Sequence, residues 1–348
     1  MLLAATLTGC NHSEPFDTPY YGAPPPPAGT ETRLTYNSPG HDRGPAWLPG
    51  GSGFYYSRQE LDRPDQDWCL ALLPRDGGGI RREICDVIPA AIDSIDAWQS
   101  PGPGPNGQLA FMRATAVAAL HPLVPARSEL VVGMLANPAG ARVLKTLPAM
   151  APSGRGYDAV SQIRWLGPST IVFLAERLAY ERVCGSCPAD TLRWGLEIVK
   201  ADFGAPAPVF SMLPGSDQAS SVAVAGSDTV YYTTNGDNRV YRLVLSTETI
   251  SVVHDFGATV VRDVQVAGNR LVAVVGGSVT FTTDPIFGPV QRDGGGVLYL
   301  LNLGSNSAFP LTSPFESFRH PALSPDGSRL VAEMTSGGSS DIWAVALP

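Results

Sequence analysis

The stretch that most constrains this chain is its last, His320-Pro321-Ala322-Leu323-Ser324-Pro325-Asp326-Gly327-Ser328-Arg329-Leu330-Val331-Ala332-Glu333, followed by Asp341-Ile342-Trp343-Ala344-Val345. Proline presets φ for a turn and glycine accepts positive φ, so Pro325-Asp326-Gly327 between apolar runs is a tight turn joining two strands. A Gly/Ser segment then leads to a third strand at Asp341. A unit this small cannot bury its apolar faces alone, so the chain has to supply further copies of it.

Reading for a strand, a Gly/Pro turn and a second apolar strand gives five more starts. They are Pro45-Ala46-Trp47, Asp96-Ala97-Trp98, Ile163-Arg164-Trp165, Val222-Ala223-Val224 and Val264-Gln265-Val266. Second strands are expected at 53–58, 108–113, 170–176, 229–233, 270–275 and 329–333, and third strands at 67–73, 129–135, 192–200, 239–245, 297–303 and 341–347. Outer strands read at 80–87, 142–147, 209–212, 250–254 and 309–312, one fewer than the starts. Arg33-Leu34-Thr35 resembles Pro310-Leu311-Thr312 and supplies the sixth from the other end of the chain. Gly 37 and Pro 32 suit many short strands joined by tight turns.

The last unit, with its Ser-Pro-Asp-Gly turn and its Asp-Ile-Trp, resembles the repeat of the TolB-like (WD-repeat-like) propellers of the bacterial envelope. The resemblance covers roughly residues 32 to 348, sharp in the last unit, fair in the first and degenerate between. It implies an all-β chain, a six-bladed β-propeller of four-stranded antiparallel blades. The N-terminal strand would complete the last blade, which removes the open edges that invite aggregation.

Ahead of that domain, Leu7-Thr8-Gly9-Cys10 resembles a bacterial lipobox, in which the cysteine becomes lipidated after cleavage. The apolar stretch before it is short and lacks Lys and Arg, so 1–10 reads as an incomplete signal segment. Residues 11–31 hold Pro24-Pro25-Pro26-Pro27 and read as an extended tether, with 32–348 as one propeller domain. The expected place is the periplasmic side of the outer membrane, held there by the lipid alone. A net charge of −8 without a basic run argues against nucleic acid as partner.

Of five cysteines, Cys10 is the lipid carrier, leaving an even set in an oxidising compartment. Cys69 on a third strand and Cys85 on the next face one another if the hairpin turns around Gly77, which predicts a disulfide. Cys184-Gly185-Ser186-Cys187 lies in a Pro-containing polar insertion, so a small structural disulfide is preferred there over redox or zinc chemistry.

No Gly-x-Ser-x-Gly, Gly-x-x-x-x-Gly-Lys or His-Glu-x-x-His occurs, and no cofactor or metal is expected. Polar residues stand just before the first strands and mark the mouth of a central channel: His41, Asp42 and Arg43; Asp93 and Asp96; Asp158; Asp217; Arg262 and Asp263; Arg319 and His320. On the same face lie three insertions, 114–128, 177–191 and 276–296, which carry apolar side chains that a solvated loop does not need. They are Leu120, Leu123 and Val124; Leu178 and Tyr180; Phe281, Ile286 and Phe287. The function expected is therefore a non-enzymatic scaffold that docks another envelope protein through these loops. A glycan- or small-ligand-binding propeller is the alternative, with a lyase or hydrolase at the channel mouth behind it. A glycan site calls for aromatic platforms, and the sequence offers Tyr157.

Overall fold

A computed structural model describes residues 31–37, 39–60, 68–85, 94–117, 125–147, 154–181, 190–277, 279–284, 288–293, 295–313, 317–336 and 339–348. Strand β1 (Glu31–Arg33) precedes a succession of antiparallel units. The first unit is β2 (Gly40–Trp47), β3 (Gly53–Glu60), β4 (Trp68–Pro74) and β5 (Arg82–Ile84). The second is β6 (Ser94–Pro103), β7 (Gln108–Val117), β8 (Pro125–Met134) and β9 (Asn137–Leu147). Then come β10 (Gly154–Gly167), β11 (Thr170–Glu181), β12 (Asp190–Asp202) and β13 (Val209–Met212), followed by β14 (Ala219–Ala225), β15 (Thr229–Thr234), β16 (Arg239–Val244) and β17 (Thr249–Asp255). Strands β18 (Val261–Ala267) and β19 (Arg270–Val275) lead into a separate hairpin, β20 (Val279–Asp284) with β21 (Gly288–Asp293). The sheet resumes with β22 (Val297–Asn302) and β23 (Ser307–Pro310). The last strands are β24 (Phe318–Leu323), β25 (Leu330–Ser336) and β26 (Ser339–Val345).

The chain is all-β: among the described residues the helical content is one 3-10 turn at Pro105–Gly107. No described helix is long and apolar enough to cross a membrane. Apolar residues fill the space between successive units rather than a single centre. Phe111 packs with Tyr55, Leu70 and Trp98 between the first two units; Phe173 packs with Leu130 and Ile163 between the next. Tyr232 packs with Leu174 and Ile198, Leu271 with Ala223 and Val240, Phe318 with Leu298 and Leu330, and Phe54 with Ala322 and Ile342. Alternation of side chains along a strand is what lets one strand feed both faces.

The first strands of the units surround one space. β2 lies against β6 and β24, β6 against β10, β10 against β14, β14 against β18, and β18 against β24. β1 pairs antiparallel with β26, Glu31 opposite Val345 and Arg33 opposite Trp343. The Leu34 amide continues that ladder by donating to Ile342 O at 2.8 Å. In the first unit the β4–β5 register pairs Leu70 with Ile84, and a disulfide joins Cys69 to Cys85, 4.6 Å apart at Cα.

Two expectations change here. The turn read between Trp98 and Gln108 is shorter, because β6 runs on through Pro101 and Pro103 to the 3-10 turn. The described parts of the three insertions are paired backbone rather than loops: β11 and β12 keep register out to Ala179 opposite Arg193 and pair on past a bulge, β7 pairs β8 out to Ala116 opposite Pro125, and 279–284 pairs with 288–293. Polar side chains between apolar ones hid the strand alternation there.

Candidate functional site: the chamber between the first strands

Each first strand pairs along its length on one side only, so its other edge faces the shared space. That edge tolerates what a central strand does not. Proline, which cannot donate to a ladder, sits in these strands at Pro45, Pro101, Pro103 and Pro321. A bulge interrupts the register at the same level in four of them, between Arg43 and Ala46, Gln99 and Gly102, Ser161 and Arg164, and Arg319 and Ala322. At each bulge one residue turns left-handed: Gly44 (φ 59°), Ser100 (56°), Gln162 (50°) and His320 (45°). Glycine adopts that conformation without strain; Ser, Gln and His do not, and bulges of this kind re-aim side chains beside functional sites.

The bulges ring a cavity of about 190 Å³. Gly44, Ser100, Gln162 and His320 all line it, with Gln99, Ser161 and Arg164 from the first strands and Ser57 and Trp68 from β3 and β4. Gln162 is fixed by accepting from the Val222 amide through Oε1 at 2.8 Å, which leaves its NH2 group to donate. Trp68 lies parallel to His41, ring centres 6.2 Å apart, with the Arg43 guanidinium 5.4 Å from its centre.

Arg164 stands between this chamber and a wider cavity of about 460 Å³ behind it, and lines both. Its Nη1 donates to the Ile163 carbonyl at 3.1 Å, while Nε is sealed from solvent with no acceptor. Burial pulls its pKa down to about 10 against the opposing charge of Asp263 on the same wall, so it stays a cation at neutral pH. The wider cavity is apolar, walled by Trp47, Trp165 and prolines. Both indoles donate to backbone across a unit boundary, Trp47 to Ala322 O at 2.8 Å and Trp165 to Gly102 O at 2.7 Å. Gly104 has to be glycine, since a Cβ there would stand 2.2 Å from the Trp165 ring.

On one side of the chamber the charges are already matched. Glu333, fully buried, takes Arg319 Nε at 3.1 Å, His320 Nδ1 at 2.8 Å and Arg43 Nε at 3.7 Å. Burial alone would raise the Glu333 carboxyl; the His320 hydrogen bond and the three cations hold it below its ordinary value instead. Burial likewise opposes the His320 cation, and the Glu333 contact outweighs it, so the His320 pKa is raised. Asp42 is buried in the neighbouring seam, 3.4 Å from Arg58 Nη1 and accepting from Asn37 Nδ2 at 2.9 Å. Here desolvation wins over Arg58 and the carboxyl rises to about 7.

No family model and no curated protein matches this chain, whereas many solved structures share its fold. A luciferin-regenerating enzyme is 12% identical, with 91% of this chain and 95% of that one covered at a TM-score of 0.50. The β-propeller domain of the Trilobed protease from Pyrococcus furiosus is 10% identical over 89% of this chain and 94% of its own, TM-score 0.48. TolB from Acinetobacter baumannii is 11% identical over 90% and 65%, TM-score 0.44. Four-stranded antiparallel sheets, packed face to face with their first strands around one space, are blades. The chain is a β-propeller. Likeness at this identity speaks for the fold and not for an activity.

The propeller redistributes the residues that the sequence placed at a channel mouth. Arg43, Asp263 and His320 line the chamber. His41 and His320 are not ahead of their strands but inside β2 and β24, because the bulges let the strands begin earlier. Asp42 and Arg319 belong to the buried seam networks, Asp217 is exposed, and Arg262 donates to the carbonyls of Gly276 and Gly277. Asp93 and the side chains of Asp96, Tyr157 and Asp158 lie outside the described residues, as do Cys10, Cys184, Cys187, Leu120, Leu123, Val124, Ile286, Phe287 and the side chains of Leu178, Tyr180 and Phe281. Arg164, Trp68, Gln99 and Gln162 were missed. A signal existed: the non-glycine residue before proline in Ser100-Pro101 and His320-Pro321 marks an inner-strand bulge.

Proposed function

We propose that this chain is a six-bladed propeller, closed on itself by β1, that serves as a non-catalytic binding module of the bacterial envelope and holds a compact polar ligand in the chamber on its axis. The ring is supported by the cycle of first-strand contacts and by the β1–β26 ladder. Envelope anchoring is supported by Leu7-Thr8-Gly9-Cys10 and the proline tether. One observation carries the ligand reading: three non-glycine residues, Ser100, Gln162 and His320, hold left-handed backbone around one cavity. Strain of that kind costs roughly 1–3 kcal/mol per residue and clusters at ligand clamps. At about 190 Å³ the chamber falls below the 300–1,000 Å³ of drug-sized sites, so its occupant is small. The test is a thermal-shift screen of small polar molecules on the whole protein and on Ser161→Phe, which fills the chamber. Ligands should stabilise the parent and not the variant, whose own melting temperature stays within a few degrees; ligands that still stabilise the variant would end the reading.

A second role, docking of an envelope protein, is favoured by one finding. The described residues of the insertions in blades 2, 3 and 5 are paired strands. Aspartate at Leu123, Tyr180 and Phe287 should release the partner from the purified lipidated protein without lowering its melting temperature. Retention of the partner by the triple variant would exclude this role.

A further inference from the structure

Arg164 differs from the ion-paired guanidinium groups of the propeller, and its Nε is sealed from solvent without an acceptor. Arg58 meets Asp42 and Glu60, Arg113 meets Glu129 at 2.6 Å, and Arg319 meets Glu333. Arg164 makes no ion pair with a described carboxylate, and among the described residues its side chain donates to the carbonyl of its own neighbour, Ile163. A half-buried cation faced by Asp263 across the wall but closed into no ion pair is costly to hold, which structural arginines avoid by pairing. Nor does it rivet two blades, a task the nearby Trp165 indole performs. What distinguishes it is position: it follows the left-handed Gln162 in the bulge and borders the chamber.

We propose that Arg164 anchors the occupant of the chamber and that this occupant is a small organic monocarboxylate, an inference that rests on the chamber being the ligand site. The planar guanidinium fork matches a carboxylate, and Nη2, which makes no hydrogen bond within the described protein, is the donor left for it. Asp263 on the same wall opposes a second negative charge, which disfavours dianions such as phosphate esters. Beside the fork, the NH2 of Gln162 and the hydroxyl of Ser161 offer hydrogen bonds to polar groups on the rest of the molecule. Because burial has lowered the pKa of Arg164 only to about 10, the anchor is charged throughout the neutral range.

Calorimetric titration of the whole protein with lactate, butyrate and benzoate, each beside its neutral amide and beside inorganic phosphate, tests this. At least one carboxylate should bind at millimolar concentration or better, and its amide about ten- to a hundredfold more weakly, the factor a charge-assisted hydrogen bond supplies. Arg164→Gln should abolish the difference, and Arg164→Lys should keep part of it, since the charge remains and the fork is lost. Arg164→Lys keeps the charge that faces Asp263 and should melt with the parent, so its partial loss of carboxylate binding is read on an intact fold. Amides or phosphate binding as tightly as the carboxylates, none of the three carboxylates binding, or carboxylate binding that survives Arg164→Gln would overturn the proposal. Ser161→Phe separates the two levels. If it abolishes binding of carboxylate and amide alike while they bind equally to the parent, the chamber stands and only the anion anchor falls. If carboxylate binding survives Ser161→Phe, the chamber reading falls with it.

Discussion

Asp42 on β2 and Glu333 on β25 lie on either side of β26 in the sheet, both fully buried, yet burial decides one and pairing the other. Glu333 has three cations around it and stays ionised; Asp42 has Arg58 at 3.4 Å on one side and Asp341 adding to its burden on the other. A carboxyl raised from 3.8 to about 7 on folding binds its proton more tightly in the native state. Between those values the native protein carries more protons than the unfolded chain, so stability is greatest at the acid end of the window and falls as pH rises through it. The slope from one such group is at most about 1.4 kcal/mol per pH unit. His320, whose pKa is also raised, acts in the same direction near neutrality, so a variant has to separate them. Asp42→Asn keeps an acceptor for Asn37 and should flatten the fall between pH 4 and 7, measured as urea midpoints; an unchanged profile would move the effect to other groups. Neither environment could be read from the sequence, where Asp42 is one acidic residue beside two basic-looking neighbours. Burial of one residue depends on which strand crosses above it, and β26 arrives from 300 residues away.

At the scale of elements, what could be read was set by periodicity. The turn at Pro325-Asp326-Gly327 follows from φ alone, and Gly327 does hold φ 67°. Gly77 at φ 82° makes the turn that brings β5 back onto β4, so that register was legible too. Inner strands defeated the same rules. Pro101 and Pro103 read as breakers, because a strand is taken to need donors on both edges, whereas the edge toward the axis has no ladder to complete. The chamber is a product of those irregularities: straight strands would send Ser100, Gln162 and His320 to other faces. A site made by displaced register is invisible to pattern reading, which depends on register being kept. The insertions failed for the opposite reason. Their described residues pair as strands, but polar residues set among the apolar ones made those stretches read as loops.

Over the whole molecule the decisive contact joins the two ends of the chain. Arg33 and Asp341 form an ion pair at 2.5 Å, the Asn37 amide donates to Asp341 Oδ1 at 2.8 Å, and the Ile342 amide donates to Thr35 Oγ1 at 2.9 Å. Together with Leu34 N to Ile342 O, these tie 31–37 to β26 through both backbone and side chains. The sequence led to an expected outer strand here, from one missing strand and a three-residue likeness, and the β1–β26 ladder begins two residues earlier than Arg33. Without it β26 presents an unpaired edge, and the seam beside it loses the partners that neutralise Asp341. Removing residues through Gly29 should therefore leave stability nearly unchanged, since β1 begins at Glu31. Removing residues through Thr35 takes away the strand, the ion pair and the threonine cap on Ile342 together, and should lower stability by several kcal/mol, with loss of solubility as the edge is exposed. Urea unfolding of the two truncations side by side decides it. A full-length chain with Asp341→Asn should fall between them, because the backbone ladder survives while the buried carboxylate contacts weaken. Equal midpoints for the two truncations would mean that β1 decorates the last blade instead of completing it, and that the ring is held by the packing of its first strands alone.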